Sequence, residues 1–272
     1  MRVPDHDLRR HHAQRGATGV VIAVVVAVVL AAGVGIFLLT RNDDTTTAAP
    51  PATSAPVRVV APTTTTAAPA VTFRSAWANG KDIPVYASPD ANAAPVETLT
   101  QKTDYDVLRT VLVFNTATPN WVQAYLPTRP NNSTGWIKTT DVSLSPTPVE
   151  WQVKVDLASF KVTVFHKGVV DFVTDVAIGS PQYPTPTGTF YITDPIDLRQ
   201  RPGTGYGAYA LGLSGHSDVL NEFMGGDGQI ALHGTDNPGD VDQAISHGCV
   251  RLKNDDILRL SLLPLGTPVI IS

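Results

Sequence analysis

A cysteine and two histidines near the C-terminus are the residue types needed for thiol chemistry. Cys249 is the single cysteine of the 272-residue chain and lies in the stretch AISHGCVRL, residues 244 to 252. His247 comes just before it, and His233 ends the apolar stretch IALH further upstream. A cysteine attacks as its thiolate, and an imidazole is well suited to accept the thiol proton. The set therefore predicts nucleophilic acyl transfer, with His233 or His247 as the base.

The neighbours of these residues fit the same chemistry. Gly248 has no side chain to shield the thiol, and the N–H groups of Gly248 and Cys249 can stabilise an oxyanion. The carbonyl of Gly234 can accept a hydrogen bond from one nitrogen of His233 and so fix its tautomer. Arg251 adds positive charge, which favours a thiolate and can bind a carboxylate.

Two other interpretations of the cysteine remain open from spacing alone. A free cysteine is often a small buried hydrophobic residue. A metal site built from His233, His247 and Cys249 is the second alternative, but the chain has no close-spaced CxxC pair to support it.

The elements that must position these residues are mainly strands. Beyond SPTP, residues 145 to 148, apolar and polar residues alternate through WQVKVDLASFKVTVF, which predicts a β-meander. GQIALHG predicts a buried strand from Ile230 to His233, and TPVIIS predicts a closing strand. Two short helices are expected, at DVDQAI and at NDDILRLSLL, the second with Asn254 as its N-cap.

The preceding segment, residues 72 to 145, predicts a separate small β domain. Short alternating runs such as WVQAYL are separated by turn clusters such as PTRPNNSTG, a spacing typical of a small barrel or sandwich. It holds neither Cys nor His, so we expect a binding or spacing role rather than catalysis.

The N-terminal quarter of the sequence, residues 1 to 71, predicts export and anchoring. Residues 1 to 15 form a basic tail, residues 16 to 40 lack charged residues and are long enough for a transmembrane helix, and residues 41 to 71 are a Pro/Thr/Ala-rich linker expected to be disordered. The positive-inside bias places the N-terminus in the cytoplasm and the rest outside. A cleaved signal peptide is the alternative. The formal net charge of −4 gives no support for a nucleic-acid partner.

The motif around the cysteine resembles a known family. IALHGTDNPGDVDQAISHGCVRL is similar to the signature of L,D-transpeptidases with a YkuD-type catalytic domain: a His-Gly pair, a spacer, then Ser, His, Gly, Cys, an apolar residue and Arg. The likeness covers most of residues 149 to 272 and includes YPTPTGTFYI and YALGL. It implies a mainly β sandwich or barrel with short helices. Residues 72 to 145 resemble a bacterial SH3-like barrel.

The resemblance implies a peptidoglycan cross-linking enzyme of the cell wall. Cys249 is then the nucleophile that takes the acyl group of a donor tetrapeptide stem as a thioester, and His233 is the proton donor and acceptor. His247 and Gly248 shape the oxyanion hole, and an acceptor amine completes a 3→3 cross-link. The expected substrate-binding residues are Arg251, Gly234, Ser246 and Tyr206.

No metal or organic cofactor is implied, and a reactive thiol predicts acylation by β-lactams of the carbapenem type. The sequence leaves open an L,D-carboxypeptidase or a protein-to-peptidoglycan ligase that uses the same thioester. A further hypothesis is a non-catalytic scaffold that binds the cell wall. Three residues have two interpretations each: His216 lines the cleft or lies on the surface, and Tyr206 and Tyr209 contact the stem peptide or only pack.

Overall fold

The computed structural model describes residues 72–223 and 225–272. The predicted cytoplasmic tail, transmembrane helix and linker, residues 1 to 71, lie outside these ranges. Within them, no helix is both long and apolar enough to cross a bilayer. The chain is mainly β over the described residues, as predicted.

The first β unit runs from residue 72 to residue 145. Five of its strands form an antiparallel sheet in the order β6-β5-β4-β1-β7, and β2 and β3 form a hairpin joined to β6 through a bridge between Tyr86 and Trp136. Alternate side chains of these strands, such as Val111, Val122 and Ile137, fill a core of their own. The strands are β1 (Arg74–Ala78), β2 (Ile83–Val85), β3 (Glu97–Leu99), β4 (Thr110–Asn115), β5 (Trp121–Tyr125), β6 (Thr134–Lys138) and β7 (Val142–Leu144).

The second β unit follows from residue 149 and contains the predicted site. Its strands are β8 (Trp151–Asp156), β9 (Lys161–His166), β10 (Val169–Asp175), β11 (Ile178–Gly179), β12 (Gly188–Asp197), β13 (Tyr209–His216), β14 (Gln229–His233), β15 (Ala244–Ser246), β16 (Val250–Arg251) and β17 (Pro268–Ile271). Eight of them form one sheet in the order β10-β9-β8-β17-β12-β13-β14-β16, and β11 pairs with β15.

The meander and the closing strand were predicted from alternation and are present. β8, β9 and β10 pair antiparallel in sequence order, and β17 inserts between β8 and β12. Their apolar positions, with Leu232 and Val250 from the far edge of the sheet, pack into one core with the α-helix α1 (Asn254–Leu260). This core holds β14 and β16 side by side, which is what places the site.

Two local predictions were wrong. The stretch after Asp240 is not a helix: one turn of 3-10 helix at Pro238–Asp240 precedes the strand β15. Asn254 is not the N-cap of α1, because Lys253 occupies that position without a side-chain cap. The Asn254 amide oxygen instead accepts a hydrogen bond from the Ala208 N–H at 2.8 Å.

Candidate active site

The pairing of β14 with β16 brings the predicted nucleophile and base together. The two strands run parallel, with Leu232 beside Val250 and His233 beside Arg251. Leu232 and Val250 are fully buried in the core. Because neighbouring side chains on a strand point to opposite faces, His233 and Arg251 lie on the other face of these strands from Leu232 and Val250. Cys249, two residues before Arg251, shares this alternation and is partly buried, packed against the core.

His233 is held in one tautomer. Its Nδ1 lies 2.6 Å from the carbonyl oxygen of Gly234, and since a carbonyl only accepts, Nδ1 carries the proton. Nε2 is then the basic nitrogen. The side chain is buried, with 3% exposure. Burial lowers the pKa of His233 to about 4; hydrogen bonds to the backbone of Gly234 and Tyr206 oppose this shift, and the Arg251 charge adds to it. The imidazole is therefore neutral near neutral pH.

The thiol of Cys249 is also neutral in the resting site. The residue is half-buried, so solvent reaches part of it, but the atoms packed around the sulfur raise the pKa of the Cys249 thiol above its ordinary value. A hydrogen bond from the Ala231 backbone and the Arg251 charge act in the opposite direction without overcoming burial. A neutral thiol beside a neutral imidazole is the form in which His233 can accept the proton as the sulfur attacks.

The low pKa of His233 has a consequence for stability. In the unfolded chain a histidine binds a proton near pH 6.5, whereas the folded site resists protonation down to a pKa of about 4. The contribution is therefore complete above about pH 6.5 and is lost as the pH falls towards 4, by about 3 kcal/mol in total. We expect urea unfolding of wild type and His233→Gln to show a difference in unfolding free energy that changes by this amount over that window. A pH-independent difference would contradict a buried neutral imidazole.

Ser246 fixes the turn that carries the cysteine. Its Oγ donates to the Cys249 carbonyl at 2.5 Å and accepts from the Gly248 N–H at 3.1 Å, and the residue is buried. Gly248 has φ of +114°, a conformation that residues with a Cβ rarely adopt. Ser246 therefore organises the turn, and the predicted oxyanion role of Gly248 requires its N–H to leave the serine oxygen.

Arg251 is paired within the protein. Its Nη1 donates to Asp240 Oδ2 at 2.8 Å, and both side chains are mostly buried. Asp240 also accepts from Thr235 and Asn237, so it closes the loop that follows His233. The predicted substrate carboxylate at Arg251 would therefore have to share the guanidinium with Asp240. The spacing of charged residues did not reveal Asp240.

Aromatic rings surround the two histidines. The ring centroid of Tyr206 lies 4.6 Å from that of His233. Burial raises the pKa of the Tyr206 phenol, and the nearby Cys249 adds to this shift. The exposed ring of His247 lies between Tyr183 and Phe223, at 4.8 and 5.1 Å. Tyr206 thus contacts the predicted base, and its role in substrate binding stays a prediction. Tyr183 and Phe223 were missed, because only the folded chain brings them to His247.

The polar amide of Asn254 supports the Tyr206 side of the site. It fits against Gly207 and Gly234, where a Cβ at either glycine would collide with its oxygen. Together with its bond to the Ala208 N–H, this contact holds the segment that carries Tyr206 beside the loop after His233. Sequence reasoning had assigned this residue to helix capping.

The remaining candidates are His216 and Tyr209. His216 ends β13, is buried, and contacts Asp227 Oδ2 through Nε2 at 2.9 Å; it is therefore not on the surface. Tyr209 is half-buried beside the core. In the two described ranges, no group of three or more His, Cys, Asp or Glu side chains is arranged to hold a metal ion.

Comparison with known proteins assigns a family to this geometry. The model of the YkuD family, described as an L,D-transpeptidase catalytic domain, matches residues 150–271. YkuD of Bacillus subtilis (strain 168), named as an L,D-transpeptidase, is 32% identical over 128 residues, which cover 47% of this chain and 69% of YkuD. The chain belongs to the YkuD family of L,D-transpeptidases. The second β unit is therefore its L,D-transpeptidase catalytic domain.

Solved L,D-transpeptidases show only a distant likeness over the whole chain. A cysteine-to-serine mutant from Enterococcus faecium is 22% identical with a TM-score of 0.33, and the match covers 45% of this chain and 50% of that one. An L,D-transpeptidase from Mycobacterium tuberculosis is 17% identical with a TM-score of 0.41, and the match covers 61% and 91% of the two chains. Membership of the family therefore rests on the sequence matches.

Proposed function

We propose that Cys249 is the nucleophile of a peptidoglycan L,D-transpeptidase that forms 3→3 cross-links through a thioester. The observation that carries this proposal is the pairing of β14 with β16, which puts Cys249 and the Nδ1-protonated His233 on one face. The Nε2 lone pair of His233 is then available for the thiol proton.

The acylation step follows from these positions. As Sγ of Cys249 attacks the donor carbonyl, Nε2 of His233 takes the thiol proton, so the sulfur gains its charge only as it bonds to carbon. The Cys249 N–H stabilises the oxyanion, and the Gly248 N–H joins it by exchanging Ser246 Oγ for the oxyanion. When the tetrahedral intermediate collapses, the C–N bond breaks and the imidazolium returns its proton to the departing amine.

The second step resolves the thioester. The amine of an acceptor stem attacks the thioester carbonyl, His233 accepts a proton from that amine, and the thiolate leaves and is reprotonated. The donor is a tetrapeptide stem that loses its terminal D-alanine, and the new amide joins two stems. Arg251, Gly234, Ser246 and Tyr206 line or shape the substrate side, with Arg251 shared between Asp240 and a stem carboxylate.

The rest of the chain fits an enzyme that works at the cell wall. We propose that residues 16–40 anchor the chain in the membrane with residues 1–15 in the cytoplasm, that residues 41–71 are a spacer, and that the first β unit is an SH3-like module. The charge asymmetry around the apolar run supports this topology. It would place the catalytic domain outside the cell, where peptidoglycan is found.

An assay with muropeptides tests the proposal. Purified wild type is incubated with tetrapeptide-stem muropeptides and the products are analysed by mass spectrometry, with Cys249→Ala as the matched control. We expect cross-linked dimers and free D-alanine from wild type and neither from Cys249→Ala. The same pair is treated with a carbapenem, which we expect to add to wild type only.

The products separate the related activities. Release of D-alanine without dimers would indicate an L,D-carboxypeptidase instead of a transpeptidase. A stem attached to an added protein amine would indicate a ligase. Wild type that yields no product and no carbapenem adduct would contradict thiol catalysis.

A further inference from the structure

The first β unit contacts a loop that borders the catalytic cysteine. This loop joins β13 to β14, and its described residues are 217–223 and 225–228. The contacts come from Arg129 and Asn131, which lie in the turn between β5 and β6 of the first β unit. Sequence analysis had marked this turn, PTRPNNSTG, only as a break between strands.

One guanidinium gathers three carbonyl oxygens at the base of the loop. Arg129 Nη1 donates to the Ser217 carbonyl at 2.6 Å, and Nη2 donates to the carbonyls of Leu220 and Asp227, each at 2.9 Å. Ser217 and Leu220 lie in the part of the loop that follows β13, and Asp227 lies in the part that leads into β14. Arg129 therefore ties its two ends together with charge-assisted hydrogen bonds.

Asn131 extends this contact along β13. Its Oδ1 accepts from the His216 N–H at 2.9 Å, and its Nδ2 donates to the His216 carbonyl at 2.7 Å and to Asp218 Oδ1 at 2.9 Å. The side-chain amide thus bonds the backbone of the strand end in the way a neighbouring strand would.

The loop in turn lies beside the cysteine turn at Ser217 and contacts it through Phe223. The β-carbon of Ser217 lies about 4 Å from the position that a Cβ on Gly248 would occupy. Phe223, held at the loop end by reciprocal backbone hydrogen bonds with Gly226, stacks on His247 at 5.1 Å. Gly248 and His247 are the two residues immediately before Cys249.

We propose that Arg129 is a positioning residue for catalysis, acting through this loop on the turn that carries Cys249. The first β unit is then part of the working enzyme and more than a spacer. This inference rests on the proposed function, because it assigns Arg129 an effect on acylation of Cys249. Its structural half, that Arg129 orders the loop, stands independently.

The experiment compares the full-length wild type with Arg129→Ala, Arg129→Lys and the control Arg109→Ala. Arg109 is a second arginine of the first β unit whose side chain bonds backbone oxygens, but those of Thr100 and Lys102 within its own unit. For each protein we measure hydrogen exchange of peptides covering 217–228, the melting temperature, and two rates at Cys249: acylation by a carbapenem and alkylation by iodoacetamide.

We expect Arg129→Ala to speed exchange in the loop and to slow carbapenem acylation on the order of 10-fold, since a bicyclic substrate must be oriented against the loop and the turn. Alkylation by iodoacetamide needs an accessible thiol and its proton acceptor but no oriented acyl group, so it keeps its wild-type rate. Arg129→Lys keeps the positive charge but lacks the two-pronged guanidinium, so we expect its acylation rate to lie between those of wild type and Arg129→Ala. Arg109→Ala behaves as wild type in both rates.

Two outcomes overturn the inference. Wild-type exchange and acylation in Arg129→Ala would show that the contacts position nothing. An equal loss of both rates with a lower melting temperature would show a purely structural role. If Arg129→Ala does not fold, Asn131→Ala is measured in the same way. Should wild type yield neither muropeptide product nor carbapenem adduct, the proposed function fails, and hydrogen exchange alone still decides whether Arg129 orders the loop.

Discussion

Replacing His233 with glutamine lowers the rate of Cys249 acylation by about 10²- to 10⁴-fold, the usual contribution of a positioned general base. Glutamine can still donate to the Gly234 carbonyl, the contact that His233 makes through Nδ1, so the loop keeps its anchor. It cannot accept the thiol proton. Because burial raises the pKa of the Cys249 thiol, little thiolate forms without a base near neutral pH. The measurement is the second-order rate of carbapenem acylation, followed by intact mass.

The pH dependence of the acylation rate also distinguishes His233→Gln from wild type. Wild type holds a neutral imidazole at every pH above the His233 pKa of about 4, so its acylation rate falls only as the pH approaches that value. In His233→Gln the reactive species is the free thiolate, and the rate climbs about tenfold per pH unit towards the raised thiol pKa. A break in the wild-type profile near the ordinary histidine pKa of 6.5 would contradict the buried base.

A matched control is available at the neighbouring histidine. His247 is exposed, and its ring contacts Tyr183 and Phe223. His247→Gln should therefore disturb how the substrate is oriented without removing the proton acceptor. Its pH profile should keep the wild-type shape even if its rate falls. A thiolate-like slope in His247→Gln, with a flat profile in His233→Gln, would reverse the two assignments.

Sequence patterns predicted the strands and the chemical groups because both are local signals. The alternation before Val164 and the apolar stretch ending at His233 each reflect a strand with one face in the core. The prediction that Gly234 fixes the imidazole tautomer is confirmed, since the two residues are adjacent and the contact needs little tertiary information.

The predictions that were wrong involve partners distant in sequence. A helix after Asp240 was expected from short-range composition, but β11 recruits this stretch: the Ile178 N–H donates to the Gln243 carbonyl and the Ser180 N–H to the Ser246 carbonyl, each at 2.9 Å. Tertiary pairing thus outweighs a weak helix propensity. Asn254 has the right type and place for a cap, yet the Ala208 N–H takes its oxygen.

The same limit explains why Arg129 was not recognised. Its three carbonyl partners lie about 90 residues further along the chain, at Ser217, Leu220 and Asp227, and backbone carbonyls leave no mark in a sequence. The residue type of a histidine or cysteine already indicates which chemistry it can perform. Residues that hold such groups in place act through backbone atoms, and only the folded chain identifies them.

Ser246 is the residue of this kind nearest to the thiol, and Ser246→Ala should lower carbapenem acylation on the order of 100-fold. In wild type the buried Gly248 N–H donates to Ser246 Oγ, and Ser246 Oγ donates to the Cys249 carbonyl. The variant leaves the Gly248 N–H without an acceptor and the Cys249 carbonyl without this donor. We expect a loss of about 2 kcal/mol in the free energy of unfolding, the range for unsatisfied buried polar groups. Urea unfolding and intact-mass kinetics measure the two effects.

Ser246→Thr is the matched control, because it keeps the hydroxyl that bridges the turn. If the hydrogen bonds are what matters, threonine retains most of the acylation rate and alanine does not. The alternative is that freeing the Gly248 N–H strengthens the oxyanion hole, in which case Ser246→Ala would acylate faster than wild type despite its lower stability. The opposite signs of these outcomes distinguish a serine that aligns the nucleophile from one that only occupies an oxyanion donor.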